Sequence, residues 1–275
     1  MNPSLAPDPQ WLAALVASAD QPPLRLRVPL LWGQHVIGSV EPDYLNQISL
    51  QPSSIGFELL QKDESPEGPV WRVRGDATLA LQQIAQALLA ARVGCVAQQW
   101  RHEQLAVWDA HGKVVATVER GVARPLGIAT RAVHLVGRAT DGRFWVQQRA
   151  LNKANDPGQW DTLMGGMVSA VDTVDTALVR ETWEETGMRL SRLDDLLWGG
   201  NKAMRKPSSD DGAGYVVEQI DWFHCTVPQG MQPVNLDGEV AQFLLLDKLE
   251  LLAKLERNEF TIEAALILVA ALRLP

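Results

Sequence analysis

Residues 180–187 read RETWEETG, three glutamates crowded into one short stretch. Upstream, Val174, Ala177 and Leu178 recur at the i, i+3, i+4 spacing of an apolar helical stripe, and the same stripe runs on into Glu181, Glu184 and Glu185. The pattern predicts a helix from about Thr173 to Glu185, with Asp172 placed to cap its start and Gly187 in the C-terminal cap position. Carboxylates thus stand where burial is expected. Glu181 and Glu185 are i, i+4 neighbours and Glu184 lies i+3 from Glu181, so their oxygens converge. Mutual repulsion and the helix dipole oppose such a patch, at up to about 1 kcal/mol per charge. A divalent cation reverses that sign. Mg²⁺ suits the set because it takes a few carboxylates, keeps several waters and leaves positions for phosphate oxygens, and Mn²⁺ accepts the same hard donors. The competing reading is a solvated acidic face helped by Arg180 and Arg189, which the continuous stripe disfavours.

Around this helix the chain alternates strands and turns. RAVHLVGRA (131–139) and FWVQQRA (144–150) read as strands flanking an Asp141-Gly142 turn, followed by the loop LNKANDPGQWD (151–161) and the pair Gly165-Gly166. VVEQIDWF (216–223) is a further strand, and MRKPSSDDGAG (204–214) reads as a mobile loop and candidate lid. Before residue 126 the pattern is α+β. PQWLAALVASAD is a short helix, VPLLWGQHVIGSV and FELLQKDESPEGPVWRVRG read as strand and hairpin, ATLALQQIAQALLAARVG as a helix, and QLAVWDAHGKVVATVER as another hairpin. The turn formers Pro125 and Gly127 mark the boundary, dividing the chain into a 1–125 α+β domain and a 126–275 domain.

Composition excludes several classes. Lys and Arg number 25 against 33 Asp and Glu, a net charge of −8, with no basic run to neutralise a row of phosphates, so nucleic acid is not the expected partner. No apolar run approaches membrane-spanning length and the start lacks a secretory signal, which predicts a soluble, cytoplasmic protein. Cys95 and Cys225 lie far apart in apolar surroundings and fit buried free thiols. Oligomeric state is not legible.

The stretch GMVSAVDTVDTALVRETWEETGM (166–188) resembles the Nudix box, G-x5-E-x7-R-E-U-x-E-E-x-G-U with U apolar. Gly166, Arg180, Glu181, Glu184, Glu185 and Gly187 match at the required spacings, and Met188 fills the last apolar place. Six identities, at roughly 6% frequency per residue type, make an accident of order about 10⁻⁷ per starting position. Asp172 replaces the first glutamate and Thr182 occupies an apolar place. The resemblance pairs residue 172 with Arg180 as a structural brace, which the shorter acid would lengthen or bridge by water, while Thr182 reads as harmless. Blocks outside the box, among them WRHEQLAVWD, VERGVARPLGIATRAVHLVG and RFWVQQRALNKANDPGQWDTLMGG, are similar to the Nudix branch related to thiamine pyrophosphokinase fusion proteins. That resemblance implies an α/β/α sandwich with a mixed sheet from about residue 128, preceded by the smaller N-terminal domain. It also implies a small-molecule diphosphate substrate, with thiamine diphosphate or its oxidised analogues leading.

Cleaving a P–O–P linkage needs charge neutralised on its oxygens and a water activated in line. The expected ligands of Mg²⁺ are Glu181 and Glu185, with Glu184 ligating or ordering a water and the Gly166 carbonyl completing the set, as the family resemblance implies. Catalytic candidates are Glu184, Arg180 and, in the NLDGEV loop, Glu239; for the role of general base Glu181 or Glu184 competes with Glu239. Arg149 and Lys153 are candidates to grip the diphosphate. Glu218 faces the cleft or merely alternates outward; Trp160 and Trp222 stack on a ring or, more ordinarily, pack. Two other functions compete. An isopentenyl diphosphate isomerase calls for a cysteine close to the box, where Met164–Met167 reads MGGM; a non-catalytic ligand sensor has no need of three converging glutamates.

Overall fold

The structure is a computed structural model that describes residues 6–48, 50, 59–66, 68–209 and 214–273. In chain order it forms α1 (Pro9–Ala19), β1 (Val28–Trp32), β2 (His35–Val40), β3 (Leu60–Ser65), β4 (Gly68–Val73), α2 (Ala77–Ala90), α3 (Val96–Gln99), β5 (Gln104–Trp108), β6 (Val114–Glu119) and α4 (Arg120–Ala123). The second half follows as β7 (Thr130–Ala139), β8 (Phe144–Arg149), β9 (Trp160–Asp161), β10 (Met164–Met167), α5 (Val174–Thr186), β11 (Asp194–Pro207), β12 (Tyr215–Val227), β13 (Val240–Leu246), α6 (Lys248–Glu256) and α7 (Ile262–Ala271).

The large sheet runs β11-β12-β7-β8-β13, with β10 added along β7 and β9 along β8. It is mixed: β12 lies parallel to β7 while the other pairs are antiparallel. Residues of β7 alternate between two cores, as a two-residue period requires. Val133 and Leu135 face Ala177 and Leu178 of α5, whereas Ala132 and Val136 face Leu251, Leu255 and Leu268 of α6 and α7. Helices therefore cover both faces, and the C-terminal part is the expected α/β/α sandwich.

The N-terminal part is α+β. β1–β4 form a sheet of order β2-β1-β4-β3, β5 pairs with β6, and α2 buries Ala77, Ala80, Leu81, Ile84 and Leu88 at helical period against one continuous core that ends at Ile128. Asp76 starts α2 by accepting from the Leu79 N–H at 2.8 Å. α1 behaves differently. It belongs by sequence to the N-terminal part, yet Leu15 is buried in the α6–α7 core, Ala19 sits with Met204 and Val216, and Trp11 donates from Nε1 to Asn258 at 3.0 Å. α7, apolar on nearly every side, is thus enclosed between the sheet and α1.

The stretch expected to be a mobile loop at 204–214 is in its first part strand: β11 extends through Pro207 and pairs Met204 with Glu218 and Pro207 with Tyr215. Alternation of Met204 (buried) with its neighbours was masked in the sequence by the turn formers that follow. Residues 210–213 lie outside the described residues, and with them the lid reading. No helix among the described residues is long and apolar enough to cross a membrane.

Leu15→Ala should cost about 2 kcal/mol or somewhat more, as truncation of a buried leucine does. Hydrogen exchange should show the lost protection in α7 and not in β1–β4; protection lost in the N-terminal sheet would show that α1 serves that core instead.

Candidate active site

α5 begins on a reciprocal cap. Thr173 Oγ1 accepts from the Thr176 N–H at 3.2 Å, and Thr176 Oγ1 accepts from the Thr173 N–H at 2.8 Å. Thr173, and not Asp172 as expected, is therefore the N-cap. Asp172 is turned sideways, where it accepts from Arg180 Nε at 3.0 Å and Nη2 at 2.8 Å, from Ser169 Oγ and from Thr176 Oγ1. The shorter acid makes a direct, two-pronged bond, with neither lengthening nor water, because the cap role that would hold it along the helix axis has passed to its neighbour. Burial alone would raise the Asp172 pKa, but hydrogen bonds from Arg180, Ser169 and Thr176 hold it below the usual carboxylate range.

At the other end Gly187 takes a left-handed φ of 63°, and its N–H donates to the Trp183 carbonyl. Val234 and Leu236 donate their N–H groups to the carbonyls of Thr186 and Glu184, at 2.8 and 3.2 Å. Two carbonyls that a helix end leaves orphaned are satisfied by a distant loop, and this attachment carries Asp237 and Glu239 to the rim of the site.

The site itself is a cavity of about 260 Å³. Gly166, Arg149, Lys153, Arg180, Glu181, Glu184, Glu185, Glu218 and Glu239 all line it. Glu185 is buried, with Oε2 accepting from Gln147 Nε2 at 2.8 Å and from the Gly165 N–H at 3.0 Å. Glu181 lies so close to Gly166 that any Cβ there would overlap its carboxyl group, which gives the box glycine its physical reason. Glu184 is 43% exposed. Burial raises Glu181 to about 7 against the pull of Arg180, and raises Glu185 to about 8 with help from the Glu181 charge. Both groups are hard oxygen donors; Glu181 is paired with Arg180, while Glu185 makes no ion pair among the described residues. Among the described residues, however, no three acidic, His or Cys side chains stand grouped at metal-holding spacing. Arg180 stands between two of the acids, its Nη1 donating to Glu181 at 2.9 Å and to Glu184 at 3.0 Å.

Other expected residues have partners of their own. Arg149 donates to Asp161 at 3.3 Å and to the Asn155 carbonyl, and Lys153 is ion-paired with Glu239. Burial would raise Glu239, but the Lys153 ammonium, seconded by Arg120 and Arg149, holds it below the usual range. Glu218 faces the cavity and accepts from Thr130 Oγ1 at 3.2 Å. Trp160 and Trp222 are core: Trp160 lies under Lys254 and Trp222 sits against Gly199.

Several site residues escaped the sequence reading. Gln147 holds Glu185, and His134, Thr162 and Asp161 form a buried polar cluster, His134 Nδ1 standing 2.9 Å from Thr162 Oγ1. A histidine inside the apolar run AVHLV was the available signal. Thr182 is fully buried and its hydroxyl has no partner among the described residues, so it is not neutral: an orphaned polar group costs about 1–3 kcal/mol.

The raised carboxyls make a pH prediction for the metal-free protein. Their unfolded values lie near about 4.3. The stabilisation from holding them protonated is complete below that value and is lost as pH rises through about 7 and about 8. In EDTA the melting temperature should fall from pH 5.5 to 8.5, and Glu185→Gln should flatten the fall; parallel curves for the two proteins would contradict the assignment.

Comparison with known proteins completes the site. A NUDIX domain model matches residues 129–266, half of the chain. An uncharacterized protein of Saccharomyces cerevisiae is 25% identical over 251 residues, 85% of this chain and 72% of its own length, so the similarity takes in the N-terminal part as well. An isopentenyl-diphosphate Delta-isomerase of Streptomyces avermitilis is 31% identical over 132 residues, 48% of this chain and 64% of its own. A crystal structure of a Deinococcus radiodurans protein superposes with a TM-score of 0.50 at 19% identity, over 62% of this chain and 100% of that one, and shares the fold. Nudix enzymes typically use divalent metal ions and act on small-molecule diphosphates. The chain belongs to the Nudix family and is a Nudix hydrolase, a pyrophosphohydrolase acting on a diphosphate linkage.

Proposed function

We propose that this protein hydrolyses the diphosphate of thiamine diphosphate, or of its oxidised analogues, to the monophosphate with the help of Mg²⁺. The observation that carries the hydrolytic reading is the pair of buried carboxyls, Glu181 and Glu185, raised by desolvation and facing one cavity beside Gly166. The thiamine branch rests on the similarity of the blocks at 100–109, 118–137 and 143–166. The acidic side of the cavity, formed by Glu218, Glu263 and Asp156, is compatible with a cationic ring.

In this reading Glu181 and Glu185 hold the metal, Glu184 and the Gly166 carbonyl complete its protein ligands, and Mn²⁺ substitutes in the same oxygen set. When bound, the ion neutralises charge on the diphosphate oxygens and lowers the pKa of water. Arg180 keeps its brace to Asp172 through Nε and Nη2 while Nη1 releases the two glutamates it shares. Lys153 and Arg149 face the diphosphate. Glu239 takes the proton of the attacking water once the Lys153 ammonium leaves it to pair with the substrate phosphate, since a carboxylate held low by an ammonium is a weak base. Glu184 is the rival base. The division at 125/126 separates a catalytic unit from an N-terminal unit, with α1 crossing back to the former.

The isomerase relative gives a second reading its best support, yet neither Cys95 nor Cys225 lines the cavity, and burial pushes the Cys225 thiol up to about 12. Nucleoside diphosphate derivatives remain the rival substrate class, and a ligand sensor the rival role.

One panel tests these readings: thiamine diphosphate, its oxidised analogues, ADP-ribose, a dinucleotide and nucleoside di- and triphosphates, with Mg²⁺. The expected result is fastest turnover of a thiamine compound and a loss of about a hundredfold or more in Glu185→Gln, by analogy with removal of a transition-state charge stabiliser. A nucleotide winner with the same mutant defect replaces the substrate; no turnover anywhere favours the sensor. Glu239→Gln at near-normal rate would remove the loop base.

A further inference from the structure

The catalytic cavity is not closed by the Nudix domain alone. Arg120, Arg124 and Glu103, all from the N-terminal part, form one of its walls. Beyond Arg120 the cavity opens into an outer chamber of about 420 Å³, lined by Gln98, Gln99, Arg101, Arg120, Arg149 and Lys153, with Asp237 and Glu239 as its acids. Four cations against two carboxylates make this chamber electropositive, whereas Glu218, Glu263 and Asp156, near one another, line the inner cavity and not the outer chamber. The cleft is therefore bipolar.

Arg120 is held where the two chambers meet. Its N–H donates to the Glu103 carbonyl at 2.8 Å. The preceding Glu119 is buried and accepts from the Arg101 N–H at 2.8 Å, tying the segment before β5 to α4. Gly121 stands so near the Gln99 carbonyl that an added Cβ would come within 2.9 Å of it, so α4 is seated directly on that segment. The guanidinium gives Nη1 to Glu103 at 2.7 Å; among the described residues Nε and Nη2 make no hydrogen bond. Arg120 thus lines the cleft with one edge of its planar fork unpaired among the described residues, and such an edge suits two phosphoryl oxygens. Its charge is felt at both Glu181 and Glu239, which sets it on the same electrostatic patch as the hydrolytic groups. The N-terminal part also supports the substrate loop: Arg124 Nη1 and Gln99 Nε2 both donate to Asn155 Oδ1, at 2.9 and 3.3 Å, and Asn155 in turn accepts from Arg149.

From this we infer that Arg120 binds the terminal phosphoryl group of the substrate, so that the N-terminal part is a wall of the active site and selects diphosphate monoesters, whose terminal phosphoryl is uncapped, over diesters capped at both ends. The inference rests on the diphosphate hydrolase reading and adds the orientation of the substrate: the phosphate end lies toward the N-terminal part and the organic end toward Glu218 and Glu263.

Calorimetry on the full-length chain tests it, with imidodiphosphate as an uncapped, hydrolysis-resistant probe and ADP-ribose as a capped one, each in EDTA and in Mg²⁺. Arg120→Gln should weaken imidodiphosphate about tenfold in both buffers, as loss of a charge-assisted pair does, and leave ADP-ribose within about twofold. Glu103→Gln breaks the same ion pair but keeps Arg120, and should bind imidodiphosphate as well as the wild type or better. Equal losses in Arg120→Gln and Glu103→Gln would reduce Arg120 to a structural role and overturn the inference, as would unchanged binding by Arg120→Gln or no binding by the wild type. Glu185-dependent turnover with an indifferent Arg120→Gln would leave the hydrolase and remove the subsite. Arg120-dependent binding in EDTA without turnover on any diphosphate would do the reverse.

Discussion

Arg180 is the tie on which the placement of α5 depends. One guanidinium joins the loop before α5 to the helix itself: Nε and Nη2 to Asp172, Nη2 also to the Met167 carbonyl, and Nη1 to Glu181 and Glu184. Burial works against its charge, but Glu181 and Asp172 more than compensate and raise its pKa further. Breaking one partner from such a network leaves the others charged in a poorly solvated place, the costly direction for a partly buried ion cluster. The same network holds Asp172, Glu181 and Glu184 together around one guanidinium that shares their charge.

Around that tie, the helix is positioned by contacts far apart in the chain. Its start is self-capped by Thr173 and Thr176, its end is finished by Gly187 and by two N–H groups from residues 234 and 236, and its inner face rests on β7 through Ala177 and Leu178. Glu185 reaches Gln147 on β8 and the backbone of β10, so the least exposed acid is also the one most firmly placed. Glu184, on the outer side, is half-exposed and its carboxylate is held only by Arg180 among the described residues.

The two parts of the chain are also less separable than two cores imply. α1 leaves the N-terminal core to cover α7, while the Nudix loop at 151–161 is held at Asn155 by Gln99 and Arg124. These crossings join the parts, one by apolar burial and one by hydrogen bonds to a loop that lines the cleft. An insertion or truncation in the N-terminal part would therefore be transmitted to the loop that carries Lys153.

What the sequence by itself determined were the features encoded over a few residues. The apolar period of 174–178 and the placement of Glu181, Glu184 and Glu185 specify the helix and its acidic patch; alternation specifies β7 and β8; Gly187 specifies the helix end. Only the tertiary structure decided which acid is buried and which exposed, since all three share one stripe and differ by the strand each meets. It decided that Thr173 caps in place of Asp172, because a free side chain can turn to whichever partner, backbone or Arg180, the fold brings near. It decided, too, that Gln147 supports Glu185 and that Arg120 enters a cavity built about sixty residues later in the chain. Such pairings leave no periodic trace: their geometry depends on how sheets and helices pack, and their residue types are ordinary on any polar surface.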